Sequence, residues 1–233
     1  MGALTAAEIE RLDRVYWRNR RHWAEGTVPN SELLYLQIFD QAVERSGLKL
    51  PPLFPVGSAA NAGLLYALFR LAGDFPGLAW LELGAGQSTL LVDALAKAGR
   101  VAHALTLEHD PEWAERLRRQ VAHPVDSAPL RDVSAFGVVT PTYAASLHRR
   151  FDIALVDGPI GGSAHSRWGT LGLLHDHLAE DFVVVFDDAE RPGERATIEK
   201  FLELHPAARR AFIHAMKTQC LIFTAKYQAV AAY

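Results

Sequence analysis

The chain has 233 residues, 49% apolar and 22% charged, the proportions of an ordinary soluble folded protein with room for one large domain or a domain with an appendage. A net charge of −3 excludes a global attraction to nucleic acid or to an anionic membrane. Cys220 is the only cysteine, which excludes an intrachain disulfide and a thiolate metal cage. No apolar run reaches membrane-spanning length and the N-terminus lacks the apolar core of a signal peptide, so a cytoplasmic location is expected.

The periodicity predicts a helix over Thr5–Trp23, with Thr5 as cap and Ile9, Leu12, Val15 and Tyr16 on one face, and a second over Ser31–Arg45. The stretch LKLPPLFPVGS cannot continue a helix and reads as a joint, dividing an N-terminal helical appendage (1–57) from the main domain (58–233). Ala59–Leu71 leads in as one more helix. Strand and helix then alternate. Strands are expected at Ala79–Leu83, Ala102–Glu108, Pro124–Ser127, Phe151–Val156 and Phe182–Phe186. Helices are expected at Ser88–Lys97, Pro111–Val121, Arg167–Leu178 and Glu194–Leu204, and a short one at Pro141–His148 within the ambiguous segment Leu130–Arg150. Ala211–Met216 and Leu221–Ala225 are separated too briefly for a parallel crossover, so they pair as an antiparallel hairpin. The expected fold is α/β: a Rossmann-like, doubly wound, mostly parallel seven-stranded sheet ending in that hairpin, with N-terminal helices.

Ligands of open parallel sheets bind beyond the carboxyl ends of the strands, where strand order reverses. The first strand here ends in LELGAGQSTLL, whose glycines let a ligand approach the backbone. A dinucleotide fingerprint would carry a third glycine at position 89, which is Thr89. Instead Glu82, Gly84, Gly86 and Ser88 form E-x-G-x-G-x-S, with Ser88 placed to cap the following helix. Glu108 closes the second strand in LTLEHDPEW, where a carboxylate can accept hydrogen bonds from ribose hydroxyls of either cofactor type.

With these motifs and the closing hairpin, Ala79 to Tyr227 resembles the class I S-adenosylmethionine-dependent methyltransferases, the departure being Ser88 for the third glycine. The resemblance implies that Gly84, Ala85 and Gly86 wrap the methionine part of the cofactor and that Glu82 sits near its ammonium. It also implies that Glu108 holds the ribose, that His109 and Asp110 lie near the adenine, and that Asp157 borders the same cleft. The competing readings are an NAD-dependent oxidoreductase with a Rossmann fold and a non-catalytic nucleoside-binding module.

A hydroxyl acceptor must lose its proton to a base or through a metal. Asp157, in FDIALVDGPIGG, and Asp187-Asp188, in DFVVVFDDAER, end the fourth and fifth strands and bring three carboxylates to one cleft. Such a cluster raises its own pKa values unless a cation sits among it, and hard oxygen ligands suit Mg²⁺, Ca²⁺ or Mn²⁺. The pattern is similar to cation-dependent O-methyltransferases acting on small molecules or sugars, which implies Asp157, Asp187 and Asp188 as metal ligands. Without a metal, Asp157 is the expected general base and His165 the second choice. The loop GGSAHSRWG offers Arg167 to an anionic or hydroxyl-rich group and Trp168 either to an acceptor ring or to packing. Arg191 and Glu194 either orient the aspartate pair or form a surface ion pair.

RVYWRNRRHW mixes Arg14, Arg18, Arg20 and Arg21 with Trp17 and Trp23. It reads as an amphipathic helix that packs its tryptophans, serving as a lid or a homodimer contact. No N/D-P-P-Y/F tetrad is present, so a small-molecule or glycan acceptor is expected, with no nucleic acid and no membrane partner.

Overall fold

A computed structural model of the chain describes residues 3–233; Met1 and Gly2, the start of the expected 1–57 appendage, lie outside the described residues. Thr5 caps α1 (Ala6–Glu25) through a reciprocal capping box with Glu8, and Gly26 ends it in the left-handed region. There follow α2 (Asn30–Ser46) and α3 (Ala62–Asp74), the latter capped by the Asn61 side chain. The alternating part runs β1 (Leu78–Leu83), α4 (Gln87–Lys97), β2 (Val101–Glu108), α5 (Pro111–Arg118), β3 (Val125–Ser127). It continues with β4 (Leu130–Ala135), β5 (Val138–Tyr143), β6 (Phe151–Val156), α6 (Thr170–His177), β7 (Leu178–Phe186) and α7 (Pro192–Leu204). The chain closes with β8 (Arg209–His214), β9 (Thr218–Phe223) and a 3-10 segment, Ala225–Ala232.

Seven strands form one sheet in the order β3-β2-β1-β6-β7-β9-β8, with β9 antiparallel to both β7 and β8. This is the expected Rossmann-like sheet with its terminal hairpin. Strand order reverses between β1 and β6, which pair in parallel, so the crevice lies where Leu83 and Val156 lead out of the sheet. The period-2 alternation of strand side chains sorts the core into two layers. Leu81, Leu83, Val184 and Phe186 meet Leu12 of α1, Leu171 and Leu174 of α6, and Phe201 of α7. Trp80, Ile153, Val183 and Val185 meet Leu64 and Leu68 of α3 and Leu91 and Leu95 of α4.

Three sequence expectations are corrected. Pro141–His148 is not a helix: β4 and β5 make a separate antiparallel hairpin turning at Phe136–Gly137, whose φ values of 51° and 81° suit a tight two-residue turn. Pro141 is tolerated because a strand in a two-stranded ribbon has a free edge. The helix expected from Arg167 starts at Thr170, since Arg167 sits at φ 56°, outside helical space. On α1 the tryptophans do not pack inward: Leu12, Val15 and Asn19 form the buried face, while Trp17 and Trp23 are exposed.

Polar anchors tie the N-terminal helices to the sheet end. The buried Glu32 carboxylate accepts from Asn61 Nδ2 (2.9 Å), Ala62 N (2.6 Å) and Met216 N (2.8 Å). Arg210 pairs with Glu8, Arg195 with Asp13, and Arg18 donates to Ala215 O at 2.7 Å. The joint segment reaches the β1–α4 turn, where Gln87 bonds both backbone groups of Phe54.

Candidate active site

The turn after β1 is held from below by a buried carboxylate. Glu82 Oε2 accepts from Thr89 Oγ1 (2.8 Å) and Thr106 Oγ1 (2.7 Å), and Thr89 Oγ1 accepts from Gly86 N (2.9 Å). Burial pushes the Glu82 carboxyl up to about 7, against the lowering effect of hydrogen bonds from Ser88, Thr106 and Thr89. Gly84 has φ 91°, and a Cβ there would lie 2.8 Å from Gly158 N, so this glycine lets the exits of β1 and β6 touch. At Gly86 a Cβ would meet nothing within 4 Å, leaving space open at the mouth of the turn.

Beside the turn lies a cleft of ≈ 430 Å³ lined by Gly84, Ala85, Glu108, Trp113, Tyr143 and Asp157, among others. Glu108 Oε2 accepts from Ala85 N (2.9 Å) and Oε1 from Asp110 N (2.8 Å), which fixes the carboxylate across the two strand exits. His109 Nδ1 lies 2.9 Å from the same Oε1; an ionised carboxylate has about four acceptor positions, so a free one for a ligand hydroxyl remains on Oε2. Trp113 Nε1 donates to Ala85 O (2.8 Å), placing a half-exposed indole beside the loop. A nucleoside with a methionine tail fits this set: open space at the bare turn, a carboxylate in front of it and an aromatic face at its rim.

On the other side of the cleft the three expected aspartates converge, with one oxygen of each within 4.8 Å of the others. Two buried cations are threaded among them. Arg167 Nη2 reaches Asp157 Oδ1 (3.2 Å) and Asp188 Oδ2 (3.3 Å), while its other nitrogens donate to the carbonyls of Val156, Pro159 and Asp187. Glu194 Oε1 lies 3.4 Å from Arg167 Nε. Lys217 Nζ, from the β8–β9 turn, donates to Asp187 Oδ2 (3.0 Å) and Ser58 O (3.2 Å) and lies 3.8 Å from Asp188 Oδ1. Gln219 Nε2 donates to Asp187 Oδ1 (2.6 Å).

These neighbours separate the aspartates electrically. Burial would raise Asp187, but the Lys217 ammonium and the Gln219 bond hold it below the usual range. Burial, then the charge of Asp187, push Asp157 well above that range, and the same two causes raise Asp188. Asp187 is therefore the most acidic of the three, and Asp157 and Asp188 hold a proton more readily. Lys217 and Arg167, though buried, are held firmly protonated by the carboxylates around them.

Of the sequence-predicted residues, Gly84, Ala85, Glu108, His109, Asp110, Asp157, Arg167, Asp188 and Arg191 line the cleft, whereas Gly86 and Asp187 do not. Glu82 lies beneath the turn, bonded to Thr89 and Thr106. Ser88 is not the cap of α4 but its second residue, buried with its hydroxyl on Glu82, because the helix begins a residue earlier at Gln87. His165 sits on the exposed loop with its ring centroid 4.7 Å from that of Trp168, and does not reach the cleft. Trp168 takes the packing role: it is buried and donates to Ala135 O at 2.9 Å. Arg167 is spent on internal partners; Arg191 Nη2 lies 3.0 Å from Asp188 Oδ1, while Glu194 is buried against Arg167 and Ser166 and touches neither Asp187 nor Asp188.

Sequence reasoning missed Trp113, Tyr143 and Lys217. Tyr143 is buried with its hydroxyl unpartnered at the cleft, and its signal was the β-branched run either side of Gly137. Lys217 carried no motif, since only the hairpin's return brings it to the aspartates.

Residues 81–189 match the model of a family described as a methyltransferase domain. None of the curated proteins matches the chain. Among solved structures it is similar to the T. thermophilus 16S rRNA N2 G1207 methyltransferase, at 21% identity and a TM-score of 0.51, over 75% of this chain and 46% of that one. It is also similar to the SAH-bound methyltransferase PaMTH1 of Podospora anserina, at 14% identity and a TM-score of 0.49, over 95% and 98% of the two chains. An O-methyltransferase from Bacillus cereus in complex with SAH is matched at 12% identity and a TM-score of 0.47, over 84% and 91%. At such identities the likeness concerns the fold.

Proposed function

We propose that the protein is a class I S-adenosylmethionine-dependent methyltransferase, which the methyltransferase-domain match over residues 81–189 supports, and that it methylates a hydroxyl oxygen of a small molecule or glycan. The observation that carries this reading is Asp157, which lines the cleft at the strand-order reversal with its Oδ1 held 3.2 Å from Arg167 Nη2, its carboxyl raised by burial. When bound, the cofactor supplies an electrophilic methyl group on a sulfonium. Glu108 would hold its ribose, the Gly84–Gly86 backbone its methionine part, and His109, Asp110 and Trp113 its adenine side. Asp157 takes the proton of the acceptor hydroxyl at a carboxylate oxygen, and Arg167 Nη2 orients that carboxylate. Lys217 and Arg167 hold the charge of Asp187 and Asp188 in place, so the cleft keeps its shape when Asp157 is protonated.

The convergence of three carboxylates also favours a second reading, with a divalent cation. Asp157, Asp187 and Asp188 would hold it, and it would lower the pKa of the acceptor hydroxyl. Lys217 and Arg167 already balance the cluster, and the first reading needs no further cation. The test is methyl transfer to diol and phenol acceptors with and without chelator. Activity indifferent to chelator and lost in Asp157→Asn supports the first reading; activity restored only by Mg²⁺, Ca²⁺ or Mn²⁺ supports the second. Calorimetry that finds NAD bound in preference to S-adenosylmethionine would overturn both. A cytoplasmic setting goes with this proposal; among the described residues no helix is long and apolar enough to cross a membrane.

A further inference from the structure

A cavity larger than the cofactor cleft adjoins it. It measures ≈ 700 Å³ and lies between the second half of α1, the loop at Gly162–Ser163 and the β7–α7 turn. Arg191 and Lys217 line both hollows, so the two adjoin across that pair of cations. We propose that this cavity is the acceptor site and that it takes a hydroxyl-bearing ring carrying a carboxylate; the inference rests on the methyltransferase reading above.

Charge is the first argument. Arg20 and Arg191 line the cavity against one carboxylate, Glu190, whose Oε2 is occupied by Thr218 N at 2.8 Å; Lys217 lines it too but is taken up by Asp187 and Ser58 O. Arg20 has no carboxylate partner among the described residues; its Nη1 donates to Tyr16 Oη at 3.1 Å, and its guanidinium carbon lies 5.7 Å from the Tyr16 ring centroid. Arg191 is bound on one side to Asp188 while its side chain stays 44% exposed, leaving donors for a ligand. A guanidinium with free donors in a concave site recognises carboxylates by charge-assisted hydrogen bonds.

Shape and an unfilled donor are the second argument. Trp23 and Tyr16 supply ring faces to the wall, Trp23 with 47% of its surface exposed. Such faces stack on flat or ring-shaped ligands. Asn19, 4% exposed, lines the same hollow: its Oδ1 is taken by Arg18, and its Nδ2 is buried with no partner. A buried amide left without an acceptor is costly, so a ligand oxygen there is favoured. This also explains why α1 turns Trp23 outward, at the expense of the ordinary amphipathic pattern.

Uronic acid glycosides and dihydroxybenzoic acids share this chemistry, one ring puckered and the other planar, and both are tested. The purified full-length protein, saturated with S-adenosylmethionine, is titrated by calorimetry with each acid and with its neutral counterpart, a glucoside or catechol. Methyl transfer is measured in parallel. The expected result is roughly tenfold or greater preference for an acid in both Kd and kcat/KM, as one charge-assisted pair provides. The arm showing the preference names the ring type. In Arg20→Gln the preference for acid over neutral ring should fall by about the same factor, with a thermal melt confirming the fold. Equal or better binding of the neutral rings, or a preference unchanged in Arg20→Gln, overturns the inference. So does binding of the cofactor with no binding of any acid, which leaves the methyltransferase reading standing. Failure to bind S-adenosylmethionine would remove that reading itself.

Discussion

Glu82 is the most exacting test of how the cofactor turn is supported. Its carboxyl is raised from 4.5 to about 7 by burial, despite three hydroxyl donors. A folded-state pKa above the unfolded value means stability present below the unfolded pKa and lost as pH rises through the folded one. At about 1.4 kcal/mol per pKa unit, this rise corresponds to about 3 kcal/mol in full, of which about 2 kcal/mol falls between pH 5 and pH 8. Glu82→Gln keeps an oxygen for Thr89 and Thr106 but cannot ionise. The quantity to compare is therefore the loss of stability between pH 5 and pH 8, not the stability at one pH. It is expected to be smaller in the variant by about 2 kcal/mol, roughly 4–8 °C in melting temperature for a domain of this size. Thermal melts of both proteins at pH 5 and pH 8 measure it. Parallel pH dependences in the two proteins would refute the claim that a buried carboxyl with a raised pKa underlies the turn.

Asp157→Asn should lower methyl transfer by roughly 10²–10⁴-fold with cofactor affinity nearly intact, as removal of a general base does; a fall confined to cofactor binding would contradict its role. Lys217→Met leaves Asp187 and Asp188 short of a buried partner and should cost about 3–5 kcal/mol, read by chemical denaturation. A loss under about 1 kcal/mol would refute the assignment, since surface pairs contribute that little. Gly158→Ala places a Cβ 2.1 Å from Tyr143 Oη and should destabilise by about 1–3 kcal/mol. Adding Tyr143→Phe should recover part of that, and a strictly additive double variant would argue against the contact. Trp113→Ala removes the aromatic face beside Ala85 and should weaken S-adenosylmethionine about fivefold to tenfold, measured by calorimetry.

Much of this protein follows from local pattern. The apolar runs of β1, β6 and β7 announce buried parallel strands, the short gap between β8 and β9 forces a hairpin, and Gly84 and Glu108 fall at strand ends where a parallel sheet opens. Periodicity, turn chemistry and spacing act within one element or between neighbours, so the sequence by itself determines them. It could not determine which side chains meet across the sheet. Asp157, Asp187 and Asp188 were visible as acidic strand ends, but the cations among them come from the β8–β9 turn and from a residue at positive φ ahead of α6. The 141–148 segment is compatible with a helix by local pattern, and only the pairing of β5 with β4 across the turn at Phe136–Gly137 makes its first part a strand. The outward tryptophans of α1 show the same division: the helix is local, whereas which face it buries depends on the sheet and on the hollow beside Lys217. Charge balance and burial are sums over contacts from distant parts of the chain, and those sums exist only once it has folded.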